Sequence, residues 1–173
     1  MIRKAAEKDI KEIVKIYDDI LTMEENENVF GTGWVRGMYP TEATARTALL
    51  SGTLFVCEEE GKIVAAAKID QNQVPEYAEC RWRHDAADDE VMVLHTLVVD
   101  PNCSKKGYGR KFVAFYERYA LENNCIYLRM DTNKTNAGAR EMYRKLGFKE
   151  AGIVTSTFNG IPNVSLVCLE KKL

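Results

Sequence analysis

Val91-Met92-Val93-Leu94-His95-Thr96-Leu97-Val98-Val99-Asp100-Pro101-Asn102-Cys103-Ser104-Lys105-Lys106-Gly107-Tyr108-Gly109-Arg110-Lys111 passes from a strongly apolar strand, through a glycine-bearing turn, into a helix. The strand reads over Val91 to Val99, and the helix runs from Gly107 to Asn123 with Phe112, Phe115, Tyr116 and Tyr119 as its apolar stripe. Backbone N–H groups at a helix N-terminus have no intrahelical acceptor, and the helix dipole favours an anion there. Gly107 and Gly109 present no Cβ to keep a phosphate from that backbone, and Lys105, Lys106, Arg110 and Lys111 surround it with positive charge. The ligand this implies is a phosphate; the alternative is a helix start with ordinary solvated lysines. The segment is neither a P-loop nor the three-glycine dinucleotide fingerprint, since both patterns are absent from it.

Outward from this segment, the elements alternate. A short strand, Ile2 to Ala5, precedes an amphipathic helix from Asp9, in which Ile10, Ile13, Val14, Tyr17, Ile20 and Leu21 fall on one stripe. Glu24 to Gly37 is acidic, then glycine-rich, and reads as a long loop; a second helix is expected from Pro40 to Leu50. Leu54 to Glu58 and Ile63 to Ile69 read as a hairpin around Glu59-Glu60-Gly61-Lys62. From Asp70 to about Glu90 the pattern lapses, and a loop of that length inside a compact domain is usually functional or mobile. Past the third helix come a strand, Ile126 to Met130, a helix, Asn136 to Leu146, stopped by Gly147, and two strands, Lys149 to Thr157 and Asn163 to Glu170, around Asn159-Gly160. The whole of 1–173 reads as one α/β domain.

Composition narrows the function. The 173 residues and 46% hydrophobic content suffice for a single sizeable core, which excludes a disordered tail. A net charge of −2 provides no global positive field for nucleic acid or an anionic membrane surface. No apolar run is long enough to span a bilayer, and MIRKAAEKDI lacks the apolar core of a signal peptide, so the expected location is cytoplasmic. Cys57, Cys80, Cys103, Cys125 and Cys168 are an odd number without C-x-x-C spacing, and only two histidines could join them. Neither a disulfide framework nor a metal site is expected.

Two blocks resemble the GNAT family of acyl-CoA-dependent N-acyltransferases. The family's [QR]-x-x-G-x-[GA] loop corresponds to Ser104-Lys105-Lys106-Gly107-Tyr108-Gly109, with Ser104 departing at the first position, after the strand Leu97-Val98-Val99-Asp100-Pro101. Asn136-Ala137-Gly138-Ala139-Arg140-Glu141-Met142-Tyr143-Arg144-Lys145-Leu146-Gly147-Phe148 is similar to its N-x-x-A-x-x-x-Y-x-x-x-G-F block. The resemblance covers nearly the whole chain. It implies a mixed, mostly antiparallel sheet of about seven strands with about four helices, splayed between strands 4 and 5. It further implies acetyl-CoA as cosubstrate, its pantetheine arm along the backbone of Leu97, Val98 and Val99, and its pyrophosphate on the amides of Lys105, Lys106, Gly107, Tyr108, Gly109 and Arg110. Asn136 matches a CoA-contacting residue, the alternative being a helix N-cap.

An amine attacking a thioester must first lose a proton, because an alkylammonium has a pKa of ~10. Tyr143 matches the family tyrosine that protonates the departing sulfur; otherwise it is a core residue on a stripe with Met142 and Leu146. Many relatives carry a glutamate at the position of Val93, which cannot titrate. Strand alternation would put Val93, His95 and Leu97 on one face, making His95 the candidate base, against a purely structural histidine. His84, Glu79 and Glu90 are fallbacks. The acids of Asp18 to Glu27 and of Glu76 to Glu90 would make the acceptor mouth negative, favouring a cationic amine on a small molecule or peptide; the alternative is solvated loop charge. The expected activity is N-acetyl transfer in a ternary complex without metal, with a homodimer compatible. A non-catalytic acyl-CoA-binding module is the alternative.

Overall fold

The computed structural model describes residues 1–29 and 31–173; Phe30, within the stretch read as a loop, lies outside the described residues. The chain order is β1 (Ile2–Lys4), α1 (Ile10–Glu27), α2 (Glu42–Leu50), β2 (Leu54–Glu59), β3 (Lys62–Asp70), β4 (Val91–Val99), α3 (Tyr108–Glu122), β5 (Tyr127–Asn133), α4 (Ala137–Lys145), β6 (Lys149–Phe158) and β7 (Ile161–Lys172). The strands form one sheet of seven in the order β1-β2-β3-β4-β5-β7-β6. Among the described residues, only β4 and β5 run parallel. This mixed, mostly antiparallel sheet with four α-helices is the architecture the resemblance implies.

Each face of the sheet carries its own core. Phe112, Val113 and Tyr116 of α3 and Tyr143 of α4 pack with Phe55, Ala67, Met92, Leu94, Leu128 and Met130 on one side. Ile10, Ile13, Ile16 and Tyr17 of α1, with Ala45 and Ala48 of α2, cover Leu54, Val56, Ala66 and Val98 on the other. The apolar alternation of the strands is therefore absorbed on both faces, as expected of a sheet with helices on each side.

Several boundaries move, each for a visible reason. α1 continues through Glu24 to Glu27, a stretch read as loop, and ends at Asn28 in the left-handed region (φ 53°). Glu24 turns inward and is only 6% exposed, because its carboxylate accepts the Thr32 N–H (2.8 Å) and hydroxyl (2.6 Å). α2 starts two residues after Pro40, with Thr41 at its N-cap position donating its N–H to Thr44 Oγ1 (3.0 Å). Both hairpins turn on two residues with positive φ, Glu60-Gly61 and Asn159-Gly160, so β6 and β7 extend closer to the turn than their hydrophobic patterns suggest.

The decisive irregularity is in β4. It pairs with β5 from Val91↔Tyr127 to Leu94↔Met130 and no further. Tyr116 clamps this paired end, its hydroxyl donating to the carbonyls of Met92 (2.6 Å) and Arg129 (3.0 Å). Thr96 then adopts φ 50° and the β3–β4 register slips between Lys68↔His95 and Ala66↔Val98, which is a β-bulge. Beyond it β4 follows β3 while β5 follows β7, and the sheet opens between them.

The segment between β3 and β4 is built rather than loose. A 3-10 turn at Pro75–Glu79 buries Tyr77 against Val91, Val93, Val154 and Cys168. Buried Arg129 reaches Glu170 (3.1 Å), the Gln73 side-chain oxygen (2.8 Å) and the His84 carbonyl (2.9 Å), with its guanidinium 4.3 Å from the Trp82 ring centre. Glu170 in turn accepts the Arg83 N–H (2.9 Å) and contacts His84 Nδ1 (3.0 Å). A buried ion pair so fully hydrogen-bonded is expensive to break, and it ties the segment to β5 and β7.

Candidate active site

The opening between β4 and β5 forms a cleft lined by Thr96, Leu97, Val98 and Val99 on one side, Asp131, Thr132 and Asn133 on the other, and Asn136, Ala139 and Tyr143 from α4. The β4 edge facing β5 has no strand partner from His95 onward, so its backbone groups are available to an extended ligand.

At the far end of that edge, α3 begins. Gly107 is its N-cap with φ 83°, a conformation that disfavours any side chain, and an added Cβ there would meet nothing within 4 Å. Gly109 has a different reason: its Cβ would sit 3.1 Å from Met142 Sδ and 3.9 Å from Val99 Cγ2. One glycine shapes the turn, and the other also lets α3 approach α4 and β4. The amides of Tyr108, Gly109 and Arg110 occupy the first helical turn, where no helix carbonyl reaches them. Among the described residues, Lys105, Lys106 and Arg110 make no ion pair, whereas Lys111 contacts Glu59 (3.4 Å). An open strand edge leading to free amides and free cations fits the pantetheine and pyrophosphate of an acyl-CoA.

Tyr143 is 6% exposed and lines the cleft, and among the described residues its hydroxyl takes no hydrogen bond. Burial, with the Asp131 charge added, pushes its phenol well above the ordinary range, so the hydroxyl keeps its proton. Asn136 does both things its position allowed: its side-chain oxygen caps α4 by accepting the Ala139 N–H (3.1 Å), and it lines the cleft.

The bulge overturns one expectation. Val91 and Val93 are buried on one face and Val98 continues it, while Leu97 packs with Val99 against the α3 side. The extra residue at Thr96 reverses the alternation, so Leu97 does not share the face of Val93 and His95. Val93 itself is 0% exposed, covered by Tyr77.

His95 opens into a neighbouring groove between α2 and the β3–β4 segment, with Thr44, Lys68, Asp70, Gln73 and Pro75 among its walls. Its Nε2 lies 3.1 Å from Asp70 Oδ1, and Lys68 is 3.0 Å from Asp70 Oδ2. Burial would raise the Asp70 carboxyl, but the hydrogen bonds from His95 and Lys68 prevail and hold it well below the usual carboxylate range. Tyr39, Thr96, Phe158 and Asn159 border both cavities, and the Tyr39 and Thr96 hydroxyls are hydrogen-bonded at this threshold.

The remaining candidates sit elsewhere. His84 is engaged with Glu170, Glu90 accepts the Ala87 N–H (3.2 Å), and neither Glu79 nor these two lines the cleft or the groove. Three of the acids expected to charge the mouth are occupied, Glu24 by Thr32 and Asp18 and Glu25 by Arg36. The negative groups at the site are instead Asp70 and Asp131, neither of which stood out in the sequence. Asp131 belongs to β5, two residues before a helix-leading turn, and only the strand opening reveals it.

Residues 12–148 match the Acetyltransferase (GNAT) family, and the chain belongs to it. An uncharacterized N-acetyltransferase of Methanocaldococcus jannaschii is 30% identical over 100 residues, which span 58% of this chain and 40% of that protein. The fold is similar to that of a GNAT-family acetyltransferase from Streptococcus agalactiae (TM-score 0.81, 19% identity, 100% of this chain and 95% of the other). A second similar fold, from Salmonella typhimurium, was determined with its cofactor acetyl-CoA (TM-score 0.69, 18% identity, 100% and 93% coverage). Among the described residues no helix is long and apolar enough to cross a membrane.

Proposed function

We propose that the protein transfers an acetyl group from acetyl-CoA to a primary amine on a small molecule or peptide, by direct attack. The observation that carries this is the unpaired β4 edge from His95 to Val99, which leads from the Tyr143 hydroxyl to the free amides and cations at the start of α3. Leu97, Val98 and Val99 would hold the pantetheine arm, and Lys105, Lys106, Gly107, Tyr108, Gly109 and Arg110 the pyrophosphate. When bound, acetyl-CoA supplies an activated acyl thioester.

The amine enters from the groove beside His95 and meets the thioester at the Tyr39–Thr96 threshold. His95, steadied at Nε2 by Asp70, takes a proton from the incoming nitrogen. The C–N bond forms as the C–S bond breaks, and Tyr143 gives its proton to the leaving sulfur. Two protons leave the nitrogen in all: one ends on the sulfur through Tyr143, the other in solvent. A thiol of pKa ~8.5 is a moderate leaving group, so this assistance matters.

The test is release of free CoA from acetyl-CoA with amino acids, polyamines, aminoglycosides and peptides as acceptors. Steady release with at least one amine supports transfer. A melting shift with acetyl-CoA but no release with any amine would make the protein an acyl-CoA-binding module.

A further inference from the structure

We propose that Asp131 receives the acceptor nitrogen as an ammonium beside the thioester, before His95 takes the proton that frees its lone pair for attack, so that the site selects amines that arrive protonated; this rests on the acetyl-transfer reading above. The last pair joining β4 to β5 is Leu94↔Met130, so His95 and Asp131 are the first residues on either side of the opening. Asp131 lines the same cleft as Tyr143, whereas His95 opens into the acceptor groove. The carboxylate therefore stands on the sulfur's side of the threshold and the imidazole on the side from which the amine comes.

The hydrogen bonding of Asp131 is incomplete. Tyr77 donates to Oδ2 (2.7 Å), and among the described residues nothing donates to Oδ1. Among the described residues no lysine or arginine lines the cleft. The nearby cations are committed elsewhere, Lys68 to Asp70 and Arg129 to Glu170. A partly buried carboxylate with one oxygen free and no lysine or arginine paired to it is an unfavourable arrangement, and an alkylammonium donor would complete it.

The surroundings agree. Burial raises the Asp131 carboxyl from its ordinary range; the Tyr77 hydrogen bond and the His95 ring oppose this, and the Glu76 charge adds to it. The other titratable groups that sense it are Tyr39, Tyr143 and Cys168, all neutral with raised values, so none neutralises the charge. Tyr77 comes from the segment between β3 and β4, which thereby fixes the carboxylate's direction from outside the sheet.

The experiment compares kcat/KM for a primary alkylamine, charged at neutral pH, with that for an arylamine, neutral at the same pH. In Asp131→Asn the alkylamine value should fall roughly 10–100-fold further than the arylamine value, the range for one hydrogen bond to a charged group. Tyr77→Phe, which keeps the carboxylate but loses its positioning bond, should move the ratio the same way by less. The second readout is stability without ligand. A carboxyl whose titration is raised by folding destabilises the fold above that range, so Asp131→Asn should raise Tm at pH 7, with the gain vanishing below about pH 4. An equal loss for both amines, an unchanged ratio, or a lowered Tm at pH 7 would overturn the proposal. If the wild-type protein acetylated no amine, the acetyl-transfer reading itself would fall.

Discussion

The two sides of the cleft are built on different scales. The side proposed for the cofactor is local: one continuous stretch, Leu97 to Arg110, contributes the strand edge, the left-handed Gly107 and the free cations. The acceptor side is assembled from distant parts: Tyr77 on Asp131, Asp70 on His95, Tyr39 on Thr96, and Arg129 and Glu170 beneath the β3–β4 segment. A side that must bind one invariant cosubstrate can reside in backbone geometry. A side that chooses among amines depends on side chains, and its precision depends on contacts that fix them.

The sharpest way to break this contrast is to remove the anchor of the acceptor side. Glu170→Ala leaves Arg129 buried without its carboxylate and should destabilise the fold by about 3–5 kcal/mol. Denaturant unfolding would measure it, and a loss below about 1 kcal/mol would mean the β3–β4 segment does not depend on that pair. Tyr143→Phe should lower kcat roughly 10²–10⁴-fold with little change in the dissociation constant of CoA, because the hydroxyl acts as the sulfur gains its proton. Wild-type turnover would return Tyr143 to a packing role.

His95→Gln should lower turnover about 10²-fold, most strongly below pH 7–8, with partial relief as more amine is neutral in solution. An unchanged pH–rate profile would leave the proton to water or to Asp131. On the cofactor side, Gly107→Val forces a β-branched residue to φ 83° and should remove most of the melting shift given by acetyl-CoA. That shift corresponds to about 2.7 kcal/mol when ligand is present at 100 times its dissociation constant. The smallest effect is on salt dependence. CoA affinity should decline gradually with ionic strength because Lys105, Lys106 and Arg110 are exposed, and Lys105→Ala should flatten that slope slightly.

Element order, the glycine-bearing start of α3 and the candidate phenol were legible in the chain because each is a local pattern. Helical spacing, a cap, or a turn pair such as Asn159-Gly160 is decided within a few residues. Where local reading failed, a distant partner had intervened. Glu24 looks like loop charge until Thr32 folds back on it, and the packing of Gly109 against α4 shows only once Met142 comes within contact distance. Alternation along β4 held up to His95 and then reversed, since Thr96 adopts positive φ and hydrogen-bonds Tyr39 from across the fold.

By itself, the sequence determined the α/β fold class and the family, through periodicity, glycine conformational freedom and the spacing of two motifs. The tertiary structure alone decided where β4 and β5 part, and therefore that His95 and Asp131 are the first residues on either side of the opening. Strand separation depends on register and on a bulge stabilised by long-range contacts, and neither is a property of neighbouring residues. The same separation puts Asp131 in the lining of the cleft, so the proposed acceptor chemistry arises from where the chain stops pairing.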